Sequence, residues 1–184
     1  DKGTSGVIVF AKNSLSAYRL NGKIKKTYYA LIKGDVSDNG TIDTPIYRPD
    51  PGKTIRAVST EREDALPAVT HWQVAKRCNN KSLLEVNIET GRTHQIRVHM
   101  KHLGHPLFND ERYGGDIVLK GTTFSRYRQF IQHCFDTCPR QALHAKTLGF
   151  VHPVTGEQMS FDSELPTDMK QLVEGWREYI NTMD

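Results

Sequence analysis

The strongest constraint on the fold is a series of segments in which apolar and polar side chains alternate. Residues 25–34 read KKTYYALIKG, and residues 68–76 show the same alternation. A period of two predicts a strand with one buried face. The turn CNNKS at residues 78–82 joins the second segment to the apolar run LLEVNIET, which predicts an antiparallel pair of strands. The chain therefore favours a sheet in which sequential strands pair.

The rest of the chain adds shorter strands and a few helices. Strands are predicted at residues 6–11, 41–47, 143–151 and 159–161, and helices at residues 12–21, at 96–103 and after Pro166. Residues 106–123 are predicted as loop, and the pattern of residues 122–134 is ambiguous. In the terminal helix Met169, Leu172, Val173 and Trp176 form one apolar stripe. These elements predict a single α+β domain of 184 residues, with a mostly antiparallel mixed sheet flanked by helices and loops.

Charge is unevenly distributed along this mildly basic chain. The formal net charge is +4, too small an excess to identify a partner. Residues 157–184 hold seven acidic and two basic side chains, whereas the first 156 residues hold 23 basic and 14 acidic ones. A basic body with an acidic tail fits a polyanionic partner for the body, and a solvated charged face is the ordinary alternative.

The cysteines and the apolar runs indicate a cellular compartment. Three cysteines without regular spacing argue against a disulfide framework and for a reducing environment. No apolar stretch has the length of a membrane span, and the chain has no signal-type beginning. We therefore expect a cytoplasmic protein with no membrane partner. Because the first residue is Asp rather than Met, we also expect a further N-terminal portion ahead of it.

The densest polar cluster is ETGRTHQIRVHMKHLGHPLFND at residues 89–110, which holds two arginines and four histidines. Arginine side chains and a helix N-terminus both suit phosphate. The histidines raise a metal hypothesis, which we discount because no acid or thiol stands at a recognised ligand spacing beside them. The pair Cys134 and Cys138, next to His133, lacks the second pair of a closed zinc site. We expect no metal.

Several common catalytic motifs are missing from the sequence. It has no GxGxxG after a strand, no GxxxxGKS loop, no GxSxG elbow and no HExxH helix. Ser5 has no convincing local base, so we interpret it as a hydroxyl that satisfies the turn backbone rather than as a nucleophile. Asp1, at the start of DKGTSG, has two interpretations: a loop acid that leads the chain into a strand, or a carboxylate held for chemistry.

Four stretches resolve this choice through a resemblance. In order and spacing they are similar to the motifs of the pseudouridine synthases of the RluA type: DKGTSGVIVFAK at residues 1–12, KKTYYALIKG at 25–34, ETGRTHQIRVHMKHLGHPLFNDERYGG at 89–115 and LHAKTLGFVHPVTGE at 143–157. Members of this family isomerise uridines in ribosomal large-subunit and transfer RNA. The resemblance covers most of the chain and implies the pseudouridine synthase catalytic fold.

By this resemblance three residues carry the reaction. Asp1 matches the catalytic aspartate of the family, Tyr28 the tyrosine that lines the uridine pocket, and Arg97 the arginine that pairs with the aspartate. A carboxylate in a pocket stays ionised only where a cation offsets its lost hydration, and a guanidinium can do so. The target uridine is flipped out of the RNA. No cofactor and no metal are implied, because no electron or group leaves the system.

Six further side chains are interpreted as RNA contacts: Arg92, His94, Gln95, Lys2, Lys25 and Lys26. The first three either bind phosphate or organise their loop. The lysines either contact the RNA backbone, which positions RNA without reading its sequence, or are solvated charges. The expected partner is structured ribosomal or transfer RNA, bound by a monomer.

Two features depart from the family pattern. The His-Arg-Leu that precedes the aspartate is absent, and the connection between Leu20 and Lys25 is several residues shorter than the helix and loop of the family. We therefore compare an RNA uridine isomerase with an RNA-binding domain of the same fold that has lost catalysis. The presence of Asp1, Tyr28 and Arg97 favours the enzyme. A phosphate-binding domain unrelated to RNA is a third alternative.

Overall fold

The computed structural model describes residues 1–78, 80–118 and 125–181, and it contains nine strands and four α-helices within these ranges. The strands are β1 (Ser5–Gly6), β2 (Lys25–Lys33), β3 (Asn39–Asp43), β4 (Ile46–Tyr47), β5 (Ala57–Val58), β6 (Val69–Arg77), β7 (Lys81–Ile88), β8 (Leu143–Val151) and β9 (Gln158–Asp162). The helices are α1 (Ser14–Leu20), α2 (Gln95–His102), α3 (Ser125–Thr137) and α4 (Thr167–Asn181), and Glu111–Tyr113 forms a 3-10 turn.

Seven of the described strands form one sheet in the order β1-β8-β2-β7-β6-β3, with β9 beside β8. Every pair in this sheet is antiparallel except β1 with β8, which is parallel. The hairpin predicted from residues 68–90 is present as β6 and β7. The prediction of an α+β fold on a mostly antiparallel mixed sheet is confirmed.

The central strand β2 is covered on both faces because successive side chains of a strand point to opposite sides. Leu31 packs into a cluster with residues of α3 and α4, including Trp176. Its neighbours Ala30 and Ile32 pack into a second cluster with Ile96 of α2. Helices therefore lie on both faces of the sheet. The apolar stripe predicted for the terminal helix packs against one of these two faces.

Other predicted elements differ in extent from the observed ones. The strand predicted at residues 6–11 is limited to Ser5–Gly6, because the chain beyond hydrogen-bonds to β8 only through the backbone nitrogen of Val7. The strand predicted at 41–47 is divided into β3 and β4. The ambiguous segment contains α3 from residue 125 onward, and residues 122–124 lie outside the described residues.

Two observations bear on the cysteines and on membranes. Cys78, Cys134 and Cys138 are free and buried. Burial raises the pKa of Cys134 to about 12 and that of Cys138 to about 11, which leaves both thiols unreactive at neutral pH. Within the described residues, no helix combines the length and the apolar character that crossing a membrane requires.

Gly6 allows the N-terminal segment to lie directly against β8. Its φ is +106°, and a Cβ at this position would overlap the carbonyl oxygen of Ala145. The backbone nitrogen of Val7 donates to that same oxygen at 3.0 Å. The close approach of the two backbones, which glycine alone permits, holds the first residues of the chain against the sheet.

We predict that Gly6→Ala destabilises the protein more than Gly22→Ala does. Gly22 also has a positive φ, +71°, but a Cβ added to it would have no heavy atom within 4 Å. Gly22→Ala should therefore cost only the backbone strain of about 1–2 kcal/mol, whereas Gly6→Ala adds an overpacking cost of about 1–3 kcal/mol. Urea unfolding of both variants measures the difference, and equal losses would contradict the close approach of β1 to β8.

Candidate active site

A cleft of about 770 Å³ opens where several loops meet at the ends of the central strands. Its walls come from the turn before β1, from β2, from the loop before α2, from residues 109–112 and from the segment 139–143 that leads into β8. Eight of the nine site residues named from the sequence line it: Asp1, Lys2, Lys26, Tyr28, Arg92, His94, Gln95 and Arg97. Lys25 does not.

Asp1 is presented by a short turn that the segment before β8 holds in place. The backbone nitrogen of Thr4 donates to the carbonyl oxygen of Asp1 at 3.2 Å, and Gly3 takes a positive φ of 89° within this turn. Gln141 Nε2 donates to the carbonyl oxygen of Lys2 at 2.9 Å, and Arg140 Nη1 donates to that of Gly3 at 3.0 Å. The turn therefore fixes the carboxylate at the edge of the cleft.

Arg97 faces Asp1, but its closest partner is Asp110. The guanidinium donates through Nε and Nη2 to the two carboxylate oxygens of Asp110 at 2.7 and 2.8 Å. Its remaining nitrogen, Nη1, lies 3.5 Å from Asp1 Oδ2. Arg97 is 4% exposed and Asp110 is 1% exposed, whereas the side chain of Asp1 is 18% exposed. A buried fork-shaped ion pair thus points one donor group of the arginine at Asp1.

His94 is the second group that faces the Asp1 carboxylate, with Nε2 3.8 Å from Oδ1. The backbone nitrogen of Arg56 donates to Tyr113 Oη at 3.0 Å, so the tyrosine hydroxyl is free to donate to His94 Nδ1 at 2.8 Å. This assignment leaves the imidazole proton on Nε2, directed at Asp1.

The imidazole of His94 is neutral at ordinary pH. Burial is the main reason, and the nearby cations Arg97, Arg112 and Arg56 add to it, so that the pKa of His94 is lowered to about 4. A neutral, buried ring directs an N–H at the carboxylate from 3.8 Å without adding a positive charge. This geometry favours an organising role for His94 over contact with an RNA phosphate.

Tyr28 lines the cleft beside an irregularity in the sheet. The register between β2 and β8 shifts at Thr27 and Tyr28, where Tyr28 pairs with Ala145 and leaves Lys146 as the extra residue. Such a bulge redirects the side chains next to it. Burial raises the pKa of Tyr28, so its phenol is protonated at neutral pH.

Gln95 is engaged entirely inside the protein. Its Oε1 accepts from Thr90 Oγ1 at 2.8 Å and from the backbone nitrogen of Arg92 at 3.0 Å, and its Nε2 donates to Val69 O at 2.9 Å. Of the two alternatives left open by the sequence, these bonds support the organisation of the loop. Arg92 is half-buried, and its Nε donates to Pro67 O at 2.9 Å.

The clustered histidines are distributed among separate structural roles. His99 bonds to Thr70 Oγ1 and Thr44 O, and His105 bonds to Lys33 O. Within the described residues no group of three or more histidine, cysteine, aspartate or glutamate side chains is placed to hold a metal ion.

Ser5 has a base nearby that the sequence does not reveal, because Nδ1 of His144 lies 2.9 Å from its hydroxyl. Arg140 Nη2 also donates to this hydroxyl at 3.1 Å. Ser5 does not line the cleft. Its contacts join β1 to β8, which fits the structural role predicted for it.

Four residues that contribute to the site were missed from the sequence: Asp110, Tyr113, Arg140 and Gln141. Asp110 and Tyr113 lie within the same motif as Arg97, so an acid in FNDERYGG was a visible candidate for its partner. Arg140 and Gln141 gave no such signal. They act through the backbone of residues 2 and 3, which lie more than a hundred positions away along the chain.

The fold and the cleft define an α+β domain with a carboxylate held beside a buried guanidinium. Residues 1–102, more than half of the chain, match the family model described as RNA pseudouridylate synthase. The chain therefore belongs to the RNA pseudouridylate synthase family, and the family predicted from the four motifs is confirmed.

Curated relatives match nearly the whole chain. An uncharacterized RNA pseudouridine synthase of Chlorobaculum parvum is 40% identical over 178 residues, which cover 93% of this chain and 54% of that protein. The ribosomal large subunit pseudouridine synthase D of Vibrio cholerae is 41% identical over 184 residues, covering 97% of this chain and 54% of that protein. The chain thus spans about half the length of these curated relatives.

Solved structures support the same fold. Human RNA pseudouridylate synthase domain containing 1 superimposes with a TM-score of 0.64 and is 26% identical, covering 96% of this chain and 77% of that chain. Human RNA pseudouridylate synthase domain containing 4 has a TM-score of 0.60 at 23% identity, covers 89% and 65% of the two chains, and shows a shared fold.

We predict that Asp110→Asn costs about 3–5 kcal/mol of stability, because it removes the closest and most buried counter-charge of the Arg97 guanidinium. Asp168→Asn is the matched control. Asp168 makes a similar forked pair with Arg140, at 2.9 and 3.0 Å, but it is 27% exposed, so its loss should cost clearly less. Urea unfolding measures both variants, and a loss of under about 1 kcal/mol for Asp110→Asn would contradict the importance of the buried pair.

We predict that His94 makes the protein less stable in acid. An unfolded histidine has a pKa of about 6.5, and folding lowers the pKa of His94 to about 4. As the pH falls from about 6.5 to about 4, the unfolded chain binds a proton that the folded protein does not. The free energy of unfolding therefore decreases over this range, by at most about 1.4 kcal/mol per pH unit. Asn tolerates the left-handed backbone at this position, where φ is 58°, and His94→Asn removes this contribution.

Urea unfolding at pH 7 and pH 5 tests this. The difference between the two pH values should be smaller in His94→Asn than in the wild-type protein. The same difference in both proteins would show that His94 does not titrate as inferred.

Proposed function

We propose that this protein is an RNA pseudouridine synthase that isomerises a specific uridine, with Asp1 as the nucleophile. The proposal is carried by one observation: the Asp1 carboxylate lies at the edge of a cleft, 3.5 Å from the buried guanidinium of Arg97. Membership of the RNA pseudouridylate synthase family supports it. The cleft volume of about 770 Å³ is within the range that accommodates a nucleotide-sized ligand.

The chemistry is an exchange of one bond for another within a single nucleotide. Asp1 attacks the sugar C1′ or assists an elimination, and the bond from C1′ to N1 breaks. The freed uracil turns within the cleft, and C5 bonds to C1′ as the bond between Asp1 and C1′ breaks or, in the elimination, as C2′ regains its proton. The C5 proton then leaves, and N1, which took the electron pair of the broken bond, takes up a proton. Because the substrate and product have the same atoms and oxidation state, the reaction itself requires no redox cofactor.

Arg97 and His94 have complementary roles in this scheme. The guanidinium faces Oδ2 of the Asp1 carboxylate at 3.5 Å and offers it a positive charge, and the neutral imidazole directs an N–H at Oδ1 from 3.8 Å. The nucleophile is therefore held by two groups that are themselves fixed, Arg97 by Asp110 and His94 by Tyr113. Such fixation favours attack in one geometry.

Tyr28 acts by packing against the uracil ring. Its raised pKa keeps the phenol protonated, and a protonated phenol is a poor acceptor for the C5 proton. Aromatic faces stack on bases extruded from RNA, and the position of Tyr28 in the cleft wall suits this. We therefore favour packing over a role of Tyr28 in moving the C5 proton.

The substrate proposed is ribosomal RNA of the large subunit, with transfer RNA as the second candidate. Relatives about 40% identical to this chain carry the name ribosomal large subunit pseudouridine synthase D, which supports the first candidate. Lys2 and Lys26 line the cleft and are placed to contact the backbone of the RNA, whereas Lys25 would contact it from outside the cleft. We further propose that the protein acts as a cytoplasmic monomer.

A catalytically inactive RNA-binding domain is not favoured. An RNA-binding surface has no need of a carboxylate directed at a buried guanidinium, since an acid close to the RNA backbone weakens phosphate binding. The joint presence of Asp1, Arg97 and Tyr28 around one cleft is what catalysis requires.

We predict that Asp1→Asn abolishes activity. Ribosomal RNA labelled with tritium at uracil C5, from cells that lack the gene, should release tritium with the natural full-length protein. Release should fall by about a thousandfold or more with Asp1→Asn, because the amide cannot act as the nucleophile. Asp38→Asn is the control: Asp38 is exposed, pairs with Arg77 and does not line the cleft, so its activity should equal that of the wild type.

Two results would count against the proposal. Equal release by the wild type and Asp1→Asn would remove Asp1 from the reaction. RNA binding without tritium release by the wild type, on ribosomal and on transfer RNA, would favour the inactive domain.

A further inference from the structure

A second groove lies directly beside the candidate active site. It has a volume of about 840 Å³ and is bordered by α1, by the connection into β2 and by the loop after β7. Lys26 and Arg92 line both the groove and the cleft, so the two cavities adjoin each other at these side chains. The connection after Leu20 makes one turn, with Lys23 N donating to Leu20 O at 3.0 Å, and then enters β2.

Tyr18 gives this groove an exposed aromatic wall. It lines the groove and is 81% exposed, whereas Leu20 on the same helix is buried at 7% and anchors α1 to a core cluster. Tyr18 belongs to none of the core clusters of the described residues. Its ring therefore does little for the stability of the fold and is available to stack on a ligand.

The charges around the groove suit a phosphate. Arg92 uses Nε to bond Pro67 O, and its other two guanidinium nitrogens make no hydrogen bond within the described residues. Lys26 has no ion-pair partner among the residues that the structure describes. Within the described residues, Glu89 is the one acid that lines the groove, and its Oε1 lies 2.6 Å from Nε2 of His71. The side of the groove next to the cleft is therefore positive.

We propose that this groove binds the nucleotide next to the target uridine, with its base stacked on Tyr18 and the connecting phosphate between Lys26 and Arg92. The inference rests on the proposed function, because it requires a uridine in the cleft. An aromatic platform stacks on any base, so the groove adds affinity without selecting a sequence. When the target uridine is flipped out, its neighbour loses a stacking partner, and Tyr18 replaces it.

Binding of short RNAs tests the inference. The probes are fluorescein-labelled pentauridylate and two variants that carry an abasic residue on the 5′ or the 3′ side of the central uridine. Tyr18→Ala should weaken binding of pentauridylate by about 5- to 150-fold, the range expected for the loss of one base–aromatic stack. It should have no effect on the abasic probe that lacks the stacked base. Tyr18→Phe keeps the ring and should bind like the wild type.

Controls separate this inference from a folding defect and from the proposed function. Tyr18→Ala should melt at the wild-type temperature, since the side chain is exposed. Unchanged binding of pentauridylate by Tyr18→Ala, or wild-type binding that is the same for all three probes, would overturn the inference. Neither result affects the tritium assay on Asp1→Asn, and failure of that assay would leave the binding result intact. The two proposals therefore fail separately.

Discussion

The buried ion pair between Arg97 and Asp110 determines the geometry of the whole site. Both side chains are almost fully removed from water, so neither can leave the other without an uncompensated charge in the interior. Asp110 accepts hydrogen bonds from Nε and Nη2 of the guanidinium, and Nη1 is the remaining nitrogen, which is directed at Asp1. The position of the cation is therefore set before any substrate arrives, and the turn that carries Asp1 has only to bring a carboxylate to it.

The sequence predicts the sheet well because its central strands are long and their side chains alternate. In β6 the burial of successive side chains alternates as the sequence pattern predicts. The single buried face predicted for residues 25–34 is wrong, since β2 and its neighbour β7 bury consecutive side chains in clusters on both faces of the sheet. Residues 7–11 have the composition of a strand but lack a partner along most of their length. Whether an apolar segment becomes a strand depends on a neighbouring edge, and that is a property of the fold rather than of the segment.

The candidate site is predictable to a lesser degree. Asp1 and Arg97 lie 96 positions apart, and the resemblance to a family links them, whereas no local pattern does. The interpretation of Gln95 could not be decided from the sequence, because a polar side chain in a basic loop serves an internal or an external partner equally well. Its four hydrogen bonds in the structure are all internal. Residues that act through the backbone, such as Arg140 and Gln141, leave no recognisable motif.

The protonation states of the site fit an isomerisation. Tyr28 and His94 are both neutral at ordinary pH, because burial raises the pKa of the phenol and lowers that of the imidazole. Two neutral rings in the cleft lining offer a neutral base such as uracil a surface from which no charge has to lose its hydration. In the proposed mechanism the charge needed for attack is carried by Asp1, which faces the guanidinium of Arg97 at 3.5 Å. Such a site directs bond formation to one carboxylate rather than to other groups of the cleft. A rearrangement within a single nucleotide bound in the cleft requires this selectivity.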